Sequence, residues 1–156
     1  TPLEPHAHLY LFRLNLESGE VTEQRRLAEH FYERPSYNTA YIGKPTRYAY
    51  LLDEQGSGGV MGKGVMKYDL IDEKEIKFFD YGEFLGGEAL FVPKANVNAE
   101  DDGYLVDLLM ADDKAYLLII DAKTMEELAK LHLPQRVPYG VHACWLSEQQ
   151  LQNLAA

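Results

Sequence analysis

Three segments of the chain follow one plan, and that repetition constrains the fold more than any other feature. LYLFRLNLESGEVTEQRRL, GVMKYDLIDEKEIKFFDYG and AYLLIIDAKTMEELAKLHL each run an apolar strand into Asp or Asn, a polar turn and a second strand. Aligning Asn15, Asp69 and Asp121 spaces these units 54 and 52 residues apart. Within them the apolar period is two. Along His8–Leu16 one face carries Tyr10, Phe12, Leu14 and Leu16, while the other mixes Leu9 and Leu11 with Arg13 and Asn15, the pattern of a half-buried strand. Arg47–Leu52, Gly64–Leu70, Tyr104–Met110 and Tyr116–Ile120 are further short strands rich in β-formers. Turn residues separate them, as in Glu17-Ser18-Gly19, the QGSGG run at 55–59, Asp101-Asp102-Gly103 and Asp112-Asp113. Lys123–Leu131 has a helical composition but stands where a hairpin partner belongs, so it reads as a strand after a short turn. Ser147–Ala156 reads as a helical tail, opened by Ser147 with Glu148 and Gln150 in its first turn.

Repeats of roughly 40–50 residues with about four strands per unit mark β-propeller blades. The expectation is an all-β chain, 1–156, forming about three blades near 8–52, 62–110 and 114–146, with a short C-terminal tail. Closed propellers typically take about four to eight blades, so three are expected to be part of something larger. The plainer alternative is a meandering sheet with coincidental spacing. A first residue of Thr rather than Met is what a processed product or a fragment would show.

Composition narrows the function. A net charge of −10 argues against a duplex nucleic acid as partner. A hydrophobic share of 46% supports a packed core and excludes a wholly disordered chain. Cys144 stands alone, so no internal disulfide can form. No apolar run approaches the roughly 18 residues that span a bilayer. The expected setting is therefore cytoplasmic, or peripheral to a membrane.

Among the five histidines, His6 and His8 share a strand face and could supply half a metal site, although solvated terminal residues are the blander reading. His30 and His132 read as surface. His142 follows LPQRVPYGV, whose prolines and glycine fix the backbone, and precedes Ala143-Cys144-Trp145; it could be a ligand or a satisfied core residue. Glu33 (in ERPSYN) and Glu88 (in GGEALFVP) sit among glycine, proline and aromatics rather than in charge runs. Such a carboxylate can orient a ligand imidazole through a hydrogen bond, or simply cap loop amides. Glu100-Asp101-Asp102 lacks the alternating spacing of a calcium loop and reads as a turn. There is no phosphate-binding glycine loop, G-x-S-x-G elbow, CxxC pair or HExxH helix.

Taken together, LPQRVPYGVHACW (133–145), GGEALFVP (86–93), EDDGYL (100–105), YLLIIDA (116–122) and ERPSYN (33–38) with Arg47-Tyr48 resemble the carotenoid cleavage oxygenase family, in its order and at its spacing from Glu33 to Leu146. That family includes apocarotenoid oxygenases, lignostilbene dioxygenases and the retinal pigment epithelial membrane protein. The resemblance implies a seven-bladed propeller with a non-haem Fe(2+) on its axis, held by four histidines that three glutamates orient. The reaction implied is cleavage of a conjugated double bond of an apolar polyene or stilbene with O2, giving carbonyl products. Position by position, His142 matches the last iron ligand, Glu33 and Glu88 match two of the orienting glutamates, and Val141 is placed toward the substrate cavity. The other three ligands belong to N-terminal blades outside this sequence. Val141 and Ala143 stand where the family usually has Phe and Gly, and Ala89 where it commonly has Pro.

One histidine cannot hold iron in this way. The chain by itself is expected to bind Fe(2+) weakly or not at all, to lack activity, and to self-associate through the face its neighbours would cover. Two other readings stay open: a non-catalytic, propeller-derived binding or scaffolding module, and a small cupin-like metal oxygenase, which would need several close-spaced ligands.

Overall fold

A computed structural model describes residues 7–54, 61–138, 140 and 142–154. His6, Val141 and the 55–59 turn lie outside the described residues. The strands are β1 (His8–Leu14), β2 (Val21–Ser36), β3 (Tyr48–Asp53), β4 (Gly64–Asp69), β5 (Lys74–Asp80), β6 (Leu90–Pro93), β7 (Gly103–Met110), β8 (Ala115–Asp121) and β9 (Glu126–His132), followed by helix α1 (Glu148–Leu154). All pairings are antiparallel, in a five-stranded sheet ordered β1-β2-β3-β4-β5 and a four-stranded sheet ordered β6-β7-β8-β9. The fold is all-β, and each sheet is an up-and-down meander like that of a propeller blade.

The repeated motif is one turn built three times. Asn15 Oδ1 accepts from the amides of Glu17 (2.9 Å) and Ser18 (3.2 Å). Asp69 Oδ1 accepts from Ile71 and Asp72 (both 3.0 Å), and Asp121 Oδ1 from Lys123 and Thr124 (both 2.9 Å). This is the side-chain-to-backbone capture that makes Asn and Asp turn formers. Four residues after each stands a left-handed residue: Gly19 (φ 74°), Glu73 (φ 52°) and Met125 (φ 54°). The hairpins β1–β2, β4–β5 and β8–β9 follow, and Lys123–Leu131 resolves into turn and strand as its position required. The tail helix also forms: Gln150 N donates to Ser147 Oγ at 3.3 Å, and Ser147 N to Gln150 Oε1 at 2.9 Å, a reciprocal cap.

The sheets take the period in a different phase from the units at 8–52, 62–110 and 114–146. Residues 62–110 hold β4 and β5 of one sheet together with β6 and β7 of the other. A repeat fixes spacing, not where a unit starts. The long β2 marks the offset: its first half pairs with β1 (Tyr10↔Arg26, Leu14↔Val21) and its second with β3 (Tyr32↔Asp53, Ser36↔Tyr50). Between Glu33 and Ser36 the register slips, and Arg34 adopts φ 45° there.

The two sheets share a core in which Tyr50, Leu52 and Val65 pack with Phe91, Leu105, Leu109, Leu118 and Ile120. Each such side chain contributes roughly 1.5–3 kcal/mol by leaving water. Polar ties cross the same seam. Tyr50 Oη donates to the Ala122 carbonyl at 3.0 Å, Glu100 accepts the amides of Arg47 and Tyr48 at 2.8 Å, and Lys67 Nζ meets Asp101 Oδ2 at 2.7 Å. The Glu100-Asp101-Asp102 turn is thus also the join between sheets. By contrast, the apolar face of β1 is uncovered: Tyr10, Phe12 and Leu14 are all exposed, Phe12 by 56%. On the face expected to be buried there, the Arg26 guanidinium lies over the Tyr10 ring at 5.8 Å, while Phe12 and Leu14 stay more than half exposed. No described helix is long and apolar enough to cross a membrane.

Candidate active site

The site lies where the segment after β9 folds back over the sheet β6–β9. Leu133 N donates to the Ala115 carbonyl at 2.9 Å, and Leu133 and Val137 pack on Met61, Met110 and Ala115. These anchors hold the proline-rich stretch and carry His142 to the turn that precedes β6. There Glu88 Oε2 lies 3.3 Å from His142 Nδ1 and accepts from Ala143 N at 3.0 Å. An ionised carboxylate only accepts, so the pair is satisfied by the imidazole tautomer with its proton on Nδ1, which leaves the Nε2 lone pair free. The Glu88 side chain is largely buried, and that of His142 is 73% exposed. Beside them runs an apolar groove of about 280 Å³, walled by Leu90, Leu108, Leu117 and Trp145.

Beneath Glu88 the Gly86-Gly87 backbone is fixed from several sides. Gly86 and Gly62 exchange two 2.9 Å backbone hydrogen bonds. A Cβ on Gly86 would run into the Tyr81 ring and stand 2.6 Å from Asp107 Oδ2, so only glycine fits. Gly87 N donates to Asp107 Oδ1 at 3.1 Å, Leu108 N to the same oxygen at 2.7 Å, and Tyr81 Oη to Oδ2 at 2.6 Å. Burial pushes the Asp107 carboxyl up to about 6, against the opposing pull of Tyr81, the two amides and the Arg34 charge. Burial likewise raises the Tyr81 phenol well above its usual value.

The structure joins His142 to Glu88, and among the described residues no hydrogen bond or ion pair links Glu33 to either. Glu33 sits on β2 opposite Leu52, with its carboxylate 3.8 Å from Arg34 Nε, and lines another groove with Leu9 and Tyr10. His30 pairs with Asp53 at 3.0 Å, His132 stacks edge-on against Tyr116, and His8 rests on Phe31. Asp107, Tyr81 and Arg34 were not singled out in the sequence. Asp107 carried a signal: in YLVDLLM it interrupts the face that Leu105 and Leu109 turn inward.

Residues 2–147 match the family described as "Retinal pigment epithelial membrane protein". The chain belongs to that family. It is 37% identical to carotenoid 9,10(9',10')-cleavage dioxygenase 1 of Arabidopsis thaliana, over 93% of this chain and 29% of the plant protein. It is 34% identical to a carotenoid cleavage oxygenase of Mycobacterium tuberculosis, over 85% of this chain and 28% of the relative. The chain therefore spans under a third of the length of these relatives. A point mutant of Synechocystis apocarotenoid oxygenase superposes with a TM-score of 0.79 at 28% identity, over 89% of this chain and 30% of that one. A cobalt-substituted form of the same oxygenase superposes with a TM-score of 0.78.

The donor chemistry here suits a single metal ligand. Imidazole nitrogen is a ligand type that suits iron, and no group of three or more His, Cys, Asp or Glu among the described residues could hold a metal ion alone.

Proposed function

We propose that this chain is the C-terminal portion of a non-haem Fe(2+) dioxygenase that cleaves a conjugated double bond of a carotenoid, apocarotenoid or stilbene with O2. The observation that carries the reading is the His142–Glu88 pair at 3.3 Å beside an apolar groove. It is supported by family membership and by the carotenoid-cleaving activity for which these relatives are named. In this reading His142 is one of four imidazole ligands, and the other three come from blades outside the sequence. When bound, the iron supplies O2 activation; the remaining work belongs to side chains. Glu88 accepts from Nδ1 and thereby sets the tautomer and ring angle of His142. Leu90, Leu108 and Trp145 wall an apolar groove suited to a hydrocarbon chain. Glu33 has the same orienting task toward a ligand imidazole outside this sequence. Blades outside this sequence cover the exposed Phe12 and Leu14 of β1.

The test uses the full-length protein containing these residues. His142→Ala should abolish stoichiometric iron by metal analysis and with it O2-dependent loss of polyene absorbance. Glu88→Gln should weaken Fe(2+) affinity by about 10–100-fold. Stoichiometric iron in the His142→Ala protein would falsify the ligand assignment and return the chain to the binding-module reading.

A further inference from the structure

We infer that Asp107 is a positioning residue for the Glu88–His142 pair, acting through the backbone of Gly86-Gly87. The inference rests on the ligand reading of His142 and goes beyond it, because Asp107 lines the same groove yet its hydrogen bonds go to Gly87, Leu108 and Tyr81 rather than to the imidazole. Three observations carry it. Asp107 is 4% exposed on the inward face of a central strand, between the buried Leu105 and Leu109. A carboxylate there is unfavourable unless its oxygens are occupied. Both are: Oδ1 takes Gly87 N and Leu108 N, and Oδ2 takes Tyr81 Oη. The Gly87 hydrogen bond fixes the residue immediately before Glu88.

Tyr81 closes the clamp from the other side. Its ring lies so close to Gly86 that no side chain fits there, and its hydroxyl holds Asp107 Oδ2. The chain from Tyr81 to Asp107 to Gly87 leaves Glu88 few positions, and Glu88 in turn bridges His142 Nδ1 and Ala143 N. Metal ligands held loosely lose affinity, and Asp107, which makes no hydrogen bond to the imidazole, reaches it only through the position of Gly87 and Glu88. The role therefore depends on where the acceptor oxygen stands.

That dependence gives the experiment. In the full-length protein, Fe(2+) affinity is measured by chelator competition and ligand geometry by the visible spectrum of the Co(2+)-substituted form, well below each variant's Tm. Asp107→Asn keeps an acceptor in place without the charge and should bind Fe(2+) like wild type, with an unchanged spectrum. Asp107→Glu keeps the charge but moves the acceptor, and should weaken Fe(2+) by about 10-fold or more with a shifted Co(2+) spectrum. Should the Glu variant fail to fold, Asp107→Ser, whose shorter side chain cannot reach Gly87, is read in the same way. Wild-type affinity and spectrum in the displaced variant, with His142→Ala devoid of iron, overturns the role of Asp107 alone. Iron retained by His142→Ala overturns the ligand reading first.

Discussion

Just before β7 begins, Asp101 Oδ2 meets Lys67 Nζ at 2.7 Å, while in the middle of the same strand Asp107 meets a phenol and two amides. Both carboxylates are buried. Lys67 is 3% exposed, donates also to the Lys123 carbonyl, and lies 4.4 Å from the Tyr48 ring centre, so the seam charge is answered by an opposite charge and its remaining donors are used. Among the described residues, the donors at hydrogen-bonding distance of Asp107 are the neutral Tyr81, Gly87 and Leu108 groups, with the Arg34 charge farther off. The two solutions serve different ends. A matched pair fastens one sheet to the other; an acceptor met by neutral donors holds a loop in place and keeps its charge at a cost.

Breaking the seam should produce the largest effect. Lys67→Met in the full-length protein strands Asp101 without a countercharge and should cost about 3–5 kcal/mol by denaturant titration. The double variant Lys67→Met with Asp101→Leu should recover most of that loss, because no charge is then left unmatched. If the single variant costs no more than an exposed ion pair does, the seam is not held by charge matching.

The Asp107 side of the comparison is sharpened by pH. Its folded-state value of about 6 lies above the ordinary 3.8, so the folded protein holds this proton more tightly than the unfolded chain. The contribution of Asp107 to stability is therefore fully present below 3.8, falls as pH climbs toward about 6, and stays low above it. Asp107→Asn cannot titrate and lacks that fall, which is on the order of 3 kcal/mol at most. The difference in Tm between wild type and variant should change across this window and be flat outside it. A difference independent of pH would show that the carboxylate is not raised.

Much of the fold was legible because it depends on local chemistry. Asn15, Asp69 and Asp121 announced three turns, and strand alternation placed their hairpins. A period read from hairpins does not say where β2 divides between β1 and β3. The left-handed backbone at Glu73 and Met125 was not legible, because only Gly19 writes that conformation into its residue type. At the site, His142 and Glu88 were found through family motifs, and the fold brings them together across 54 residues. Asp107 was hidden by its company. A lone acid in an apolar strand reads as a break in pattern, and only the packed loop above it shows which amide it holds.

The smallest expected effect tests burial as the variable that separates these cases. Arg13 and Glu23 form an ion pair at 3.1 Å, chemically akin to the seam, but the Arg13 side chain is 70% exposed and Glu23 also holds Arg25 at 2.7 Å. Water already solvates both charges, and salt near 0.15 M screens them over about 8 Å. Arg13→Gln should thus leave Tm unchanged within error at physiological salt, since Glu23 keeps its second partner and no group becomes buried and unmatched. A loss comparable to that of Lys67→Met would mean that pairing itself, rather than removal from water, sets what a carboxylate contributes to this fold.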